Sequence, residues 1–301
     1  MRAVNQVGQS VDAFAEGMRI AAGLIDLDGP NVNPLCRTRL YTHGHRTERA
    51  LLLLHGFTNC PQQFDSLGRR FHDSGWNVLI PRYPRHGYAD RLNTTISELR
   101  SDHLVAVANQ SATAAAGLGR HLTVAGLSLG GVLAGHLAQT HDNVERGVLI
   151  APMFGLKGIP GPGMTALARL ASLLPNFFVW WDPKFKDRRG PEHGYPRFAT
   201  HAYAALFQTA SGVLKGARKA RPKARHLSVI TNAAEPRLDN RFTYRLVEEW
   251  RSRGATVSTY EFPASHHLPH DLIDPANEEQ NTELAYPVVM RAIEGEGEPA
   301  G

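Results

Sequence analysis

Gly126-Leu127-Ser128-Leu129-Gly130-Gly131 sets a serine midway between two glycines. A hydroxyl is a weak nucleophile until a base takes its proton and until it stands where a carbonyl can reach it. Gly-x-Ser-x-Gly meets the second need, because the serine occupies a strained strand-to-helix turn and the glycines let strand and helix approach without Cβ clashes. Ser128 is therefore the candidate nucleophile. The attacked carbonyl becomes an oxyanion, which calls for two preorganised amide donors. Leu129, the residue after the nucleophile, opens the next helix with its amide aimed into the site. The second donor is expected in the turn His55-Gly56-Phe57-Thr58, with Phe57 favoured.

A base and an orienting acid must complete the set, and two late loops carry candidates. Glu235 and Asp239 follow Val229-Ile230-Thr231-Asn232, and Asp239 also suits the cap of the helix after it. Ala264-Ser265-His266-His267-Leu268-Pro269-His270-Asp271 brings three histidines to one stretch. His270 is favoured, since Pro269 fixes its approach and Leu272-Ile273 anchor the chain beyond it. His266, nearer the preceding strand, is the alternative. Such a set performs two-step acyl transfer with no cofactor. A metal is not expected, because the histidines lack further ligands nearby and Cys36 and Cys60 show no ligand spacing. The two cysteines could form one disulfide if their backbones meet, with reduced, partly buried thiols as the default expectation.

Alternating elements would have to position these groups. Leu51-Leu52-Leu53-Leu54 is a short continuous apolar block, as in a strand buried on both faces. Trp76-Asn77-Val78-Leu79-Ile80, His121-Leu122-Thr123-Val124-Ala125, residues 144–151, Leu227-Ser228-Val229-Ile230 and residues 255–262 read as further strands. Helices are expected from Pro61 to about residue 73, over 97–116 with Ser97 as cap, from 129 to about 140, over 239–253, and over 281–294. This alternation implies an α/β fold, a mostly parallel, doubly wound sheet covered on both faces. The core is read as 38–151 and 226–301, after an N-terminal extension, 1–37. The interval 152–225 is too long for a plain connection and is read as an inserted helical cap over the sheet's carboxyl edge. Its aromatic run Phe177-Phe178-Val179-Trp180-Trp181, with Met153 and Met164, either lines an acyl pocket or holds the cap down. Met153, Phe177, Trp180 and Trp181 are the candidate substrate contacts.

Bulk properties narrow the field. With 301 residues, 42% hydrophobic and 20% charged, the chain is of ordinary globular composition. The net charge is +5 and the pI near 9.4. The basic runs at 184–189 and 215–225 are not interleaved with aromatics, so solvated surface is expected rather than a nucleic-acid partner. The first 23 residues carry Asp12 and Glu16 and lack an apolar run, so a cytoplasmic location is expected. No stretch is apolar enough for stable membrane insertion.

His55-Gly56-Phe57-Thr58, Arg82-Tyr83-Pro84-Arg85-His86-Gly87, the Gly126 to Gly131 elbow and the late acidic and histidine loops together resemble one family. It is the esterase, lysophospholipase and monoglyceride-lipase branch of the α/β-hydrolase superfamily, and the likeness runs from about residue 38 to 294. The resemblance implies the chain order serine, acid, histidine, and an aspartate is usual where Glu235 stands, so Glu235 is favoured and Asp239 stays open. Ser265-His266 with a later Asp271 is similar to the carboxylesterase pattern, which keeps His266 open beside His270. The stretch like Pro84-Arg85-His86-Gly87 shapes the edge of the site in relatives, which implies a structural role for His86. A short- to medium-chain carboxylic ester, or a monoacylglycerol-like molecule, is the implied small-molecule substrate. The rivals are a serine aminopeptidase or amidase, and a catalytically silent binding protein on the same fold.

Overall fold

The computed structural model describes residues 2–159, 170, 173–188 and 190–296, with the backbone alone for 2–11. Met164 and the rest of 160–169 lie outside the described residues. Seven strands form the main sheet in the order β1 (Arg39–Tyr41), β3 (Asn77–Ile80), β2 (Thr47–Leu54), β4 (Gly119–Leu127), β5 (Val144–Ile150), β8 (His226–Asn232), β9 (Thr256–Phe262). All neighbours run parallel except β1, a short antiparallel edge on β3 that the sequence reading does not contain.

Alternation of side chains across the pleat divides the core into two layers. Leu52, Leu54, Val124, Leu149 and Val229 face one layer, built with α1 (Arg2–Asp26), α3 (Ser101–Leu118), α4 (Leu129–Thr140), α5 (Thr200–Lys219) and α6 (Asn240–Ser252). Leu51, Leu53, Ala125, Leu127 and Ile150 face the other, built with α2 (Asp65–Asp73) and α7 (Thr282–Glu294). Both faces being covered, Leu51 to Leu54 read as an unbroken apolar run, and each is 0% exposed.

Three placements differ from expectation. The helix expected to start at Ser97 starts at Ser101, after a 3₁₀ turn at Thr95–Glu98. α5, inside the interval read as cap, packs on α3, α4 and α6 as an ordinary layer helix. Residues 2–26 form a helix docked on α3, where Gly17 and Gly117 face each other. A Cβ on Gly117 would lie 2.4 Å from the Ala13 carbonyl oxygen, so only glycine permits this approach.

Cys36 and Cys60 are a further correction, being bonded as a disulfide rather than reduced. The fold brings the 3₁₀ turn Pro34–Cys36 against the turn opening at Pro61, with Cα atoms 5.1 Å apart, inside the range a disulfide spans. Both residues are 0% exposed.

Candidate active site

Sheet register supplies the first half of the site. Leu54 at the end of β2 pairs with Gly126 near the end of β4, so the turns leaving the two strands lie side by side at the carboxyl edge, where strand order reverses. In the second turn Ser128 has φ 58° and ψ −111°, a left-handed backbone that tertiary packing must hold. Its amide donates to Ile150 O at 2.9 Å, and its carbonyl accepts from Val132 N and Met153 N. A Cβ on Gly126 would lie 2.2 Å from Gly130 O, and one on Gly130 would lie 1.8 Å from Leu54 O. Both glycines are thus required by backbone contact.

The turn after β2 is rigid. His55 is 0% exposed, stacks on Tyr83 at 3.8 Å and meets Gly56 O through Nδ1 at 2.9 Å. Burial drives its pKa well below the ordinary value, so it stays neutral. Tyr83 Oη donates to His55 O, and Gly56 N donates to Gln63 Oε1 at 2.7 Å. Phe57 follows, its ring packed among Trp181, Phe198 and Tyr203, and Thr58 turns the chain with φ 63°. Leu129 is the first residue of α4, where the opening amides have no intrahelical acceptor. His86 is buried beside this turn; burial pushes its pKa down to about 4, and Nδ1 meets Pro84 O.

The late loops separate the remaining candidates. Glu235 is 2% exposed; Oε1 accepts from Arg237 N and Leu238 N, and Oε2 meets His270 Nδ1 at 2.6 Å. Burial pushes the Glu235 carboxyl up, but the His270 charge and hydrogen bond, with the Arg237 and Leu238 amides, outweigh it and leave it lowered. For His270 burial acts downward, and the Glu235 charge and hydrogen bond, together with the Asp271 charge, outweigh that and leave it raised. His270 Nε2 is buried without a hydrogen-bond partner. Asp239 instead caps α6, accepting from Arg241 N and pairing with the Arg241 guanidinium at 2.6 Å. His266 ends a 3₁₀ turn, Ala264–His266, beside Phe262, and is not among the residues lining the cavity that holds Ser128. One cavity of about 420 Å³ is lined by Ser128, His270, Gly56, Phe57, Met153 and Trp181 together.

Of the aromatic candidates, Trp181 enters and two do not. Trp181 Nε1 donates to Thr58 Oγ1 at 2.9 Å, and the Arg237 guanidinium lies 5.0 Å over its ring. Phe177 is 60% exposed. Trp180 belongs to a two-stranded ribbon, β6 (Phe178–Trp180) with β7 (Arg197–Ala199), where the Arg197 guanidinium lies 5.8 Å from its ring. Neither Phe177 nor Trp180 lines the cavity.

Sequence reasoning missed the polar groups behind the site. Gln63 bridges two loops, and His193 Nε2 meets Asp274 Oδ2 at 2.7 Å in a pair that is 3% and 1% exposed. Tyr195 N donates to Thr58 O, which ties the segment holding His193 to the turn after β2. Each joins segments distant in sequence, so no local pattern signals them.

Among the described residues no group of three or more His, Cys, Asp or Glu is placed to hold a metal, and no helix is long and apolar enough to cross a membrane. Residues 51–279 match the profile of the alpha/beta hydrolase family. No curated protein matches the sequence. The chain is similar in structure to one of two metagenome-derived lipolytic enzymes, LipS and LipT, with TM-score 0.65 at 15% identity, over 88% of this chain and 98% of that one. It is also similar to a monoacylglycerol lipase from Paleococcus ferrophilus, with TM-score 0.60 at 15% identity, over 85% and 98%. A soluble variant of monoglyceride lipase from Saccharomyces cerevisiae gives TM-score 0.60 at 13% identity, over 86% and 90%. At such identities these likenesses concern the fold.

Proposed function

The chain belongs to the alpha/beta hydrolase family, and within it we propose a serine ester hydrolase with Ser128 as nucleophile, His270 as base and Glu235 as orienting acid. The observation that carries this reading is the Glu235–His270 contact at 2.6 Å beside the cavity that holds Ser128, with His270 Nε2 left free of other partners. The glutamate makes the contact that an aspartate makes in relatives, which favours an active site over a silent one.

His270 takes the Ser128 proton as Oγ attacks the ester carbonyl, and the Leu129 and Phe57 amides receive the oxyanion. The imidazolium then protonates the leaving alcohol, and the neutral ring activates water to release the acid. The raised pKa of His270 suits both halves, since the cation must be stabilised before it gives its proton back. Phe57, Met153, Leu238 and Trp181 give the cavity apolar walls, which suits a short- to medium-chain acyl group or a monoacylglycerol-like ester. The likeness of the fold to that of a lipolytic enzyme and of a monoacylglycerol lipase agrees with this choice of substrate class. The described residues among 152–199 serve as the cap, with Trp181 as its contact to the acyl group. The buried Cys36–Cys60 disulfide favours an oxidising compartment over the cytoplasm.

The test is a panel of chromogenic esters of graded chain length, with peptidyl amides alongside. The expected result is ester turnover and fluorophosphonate labelling, both abolished in Ser128→Ala. Faster turnover of amides than of esters would move the assignment to an amidase, and absence of both would leave a binding protein.

A further inference from the structure

Asp271, next to His270 in the cavity wall, uses Oδ1 to accept from the amides of Ile273 and Asp274 at 3.3 and 3.1 Å. Its Oδ2 accepts from Gln63 Nε2 at 2.7 Å and, less closely, from Asn59 Nδ2 at 3.4 Å. Gln63 is 2% exposed and turns its other amide atom, Oε1, to Gly56 N at 2.7 Å. A single buried side chain therefore spans the loop that holds His270 and the turn that precedes Phe57. Its orientation is fixed by chemistry: an oxygen must face the Gly56 N–H and an NH₂ must face the carboxylate. Burial and the nearby Asp274 charge push the Asp271 carboxyl up, and the Gln63 amide pulls it back.

We propose that Gln63 and Asp271 are positioning residues for ester hydrolysis, a hydrogen-bond chain that sets the distance between the oxyanion donors and the base. The inference rests on the reading of Ser128, His270 and Phe57 given above. Neither side chain needs to touch the reacting atoms. Gly56 lies immediately before the donor Phe57 and Asp271 immediately after the base His270, so slack in the chain separates the two halves of the site. Oxyanion donors act only when held at hydrogen-bond distance from the developing charge. Slack should therefore lower kcat more than it raises KM.

Gln63→Glu keeps the shape and the contact to Gly56 but sets carboxylate against carboxylate. Asp271→Asn alone sets two NH₂ groups face to face, or else turns its NH₂ onto the two loop amides. The double variant Gln63→Glu/Asp271→Asn reverses the polarity of the central bond. The carboxylate introduced at position 63 accepts from Gly56 N and from the NH₂ introduced at position 271, while the new amide oxygen at 271 still serves Ile273 N and Asp274 N. It gives up the long Asn59 contact. Each protein is assayed on the best ester of the panel, with kcat normalised to sites titrated by the fluorophosphonate burst and with thermal unfolding in parallel.

Each single variant is expected to lose roughly 10- to 100-fold in normalised kcat with KM within about threefold, as suits a buried polar group left mispaired. The double variant is expected to recover to within about fivefold of wild type. Gln63→Leu, which unpairs both ends, should fall with the single variants. Single variants with unchanged normalised kcat would overturn the proposal, since a structural role alone alters only the folded fraction. A double variant no better than the singles would overturn it as well. An inert wild type is a separate result: it removes the ester-hydrolase reading and this inference with it.

Discussion

Glu235→Gln tests the proposed relay most directly, because geometry dictates how the amide must sit. The wild-type carboxylate serves three donors: Arg237 N at 3.0 Å, Leu238 N at 3.3 Å and the imidazole Nδ1 at 2.6 Å. Glutamine must keep its oxygen on the two backbone amides, since an NH₂ there would oppose two N–H donors. Its NH₂ then faces His270 Nδ1 and forces that nitrogen to accept. The ring proton moves to Nε2, and the nitrogen that should take the Ser128 proton already carries one. A wrong tautomer of this kind lowers kcat by roughly 10³–10⁴-fold. The lost charge has a second signature. In wild type the Glu235 anion, with a smaller contribution from the Asp271 charge, raises the His270 pKa against burial. A charge-assisted hydrogen bond contributes about 1.5–3 kcal/mol, so the acid limb of the residual activity should move down by roughly one to two pH units. Stability follows from the same shifts. His270, raised, contributes fully below its ordinary value of 6.5, and Glu235, lowered, contributes fully above its ordinary value of 4.5. The unfolding free-energy gap between wild type and Glu235→Gln is therefore widest between those values and narrows on either side. Active-site-titrated ester kinetics from pH 5 to 9, with urea melts across the same span, provide the measurement. A variant within threefold of wild type, or an acid limb that moves upward, would refute the relay.

The proposed cap divides cleanly. Trp181→Ala removes one cavity wall and its bond to Thr58, and should raise KM for longer acyl chains about tenfold, whereas Phe177→Ser, at an exposed position, should leave chain-length profiles unchanged. Equal effects from both would show that the acyl group lies elsewhere. Cys36→Ser/Cys60→Ser opens a covalent loop of sequence separation 24 and should cost about 2–4 kcal/mol in denaturant unfolding; free-thiol titration of the unreduced, unfolded wild type should read zero. Gly130→Ala must displace Leu54 O, 1.8 Å from the new Cβ, and a loss of roughly 3 kcal/mol or more is expected with turnover abolished. A stable, active Gly130→Ala would mean that strand and helix separate there freely.

What can be read from the chain follows from the range of the interaction involved. Leu51 to Leu54 announce a central strand because burial on both faces is a property of each residue in turn. The elbow is legible for the same reason, since its strain and its glycines lie within five residues. Pattern does not separate Glu235 from Asp239, because both precede α6. Asp239 has the short reach that caps its own helix at Arg241 N, and the longer Glu235 crosses to the next loop. His266 and His270 are told apart only by the chain's path after the turn at Ala264–His266 and the left-handed His267, which leaves Pro269 and His270, but not His266, lining the cavity. The disulfide carries no local signal, and hydrophobicity marks Phe177, Trp180 and Trp181 alike without saying which faces inward. Interval length places α5 with the cap, because it cannot tell a helix over the site from one against the sheet.

Ser128, Glu235, His270 and Phe57 lie on turns leaving β4, β8, β9 and β2, all at the carboxyl edge of parallel strands. No contact between neighbours in sequence could gather residues so far apart; register in the parallel sheet does so. The sheet fixes where each turn begins, however, and not how far it extends into the site. That second quantity falls to side chains running between turns: Gln63 from Gly56 to Asp271, Trp181 from Thr58 to Arg237, His193 to Asp274. Substitutions within the strands should consequently be felt as stability alone, and substitutions among these buried links as lost turnover per folded molecule in addition to any lost stability. A core change such as Val148→Ala sets the first limit: it should lose about 2 kcal/mol while each folded molecule keeps its wild-type kcat. If strand and link substitutions instead moved kcat and stability in fixed proportion, the edge and its turns would be one cooperative body, and the division of labour would fail.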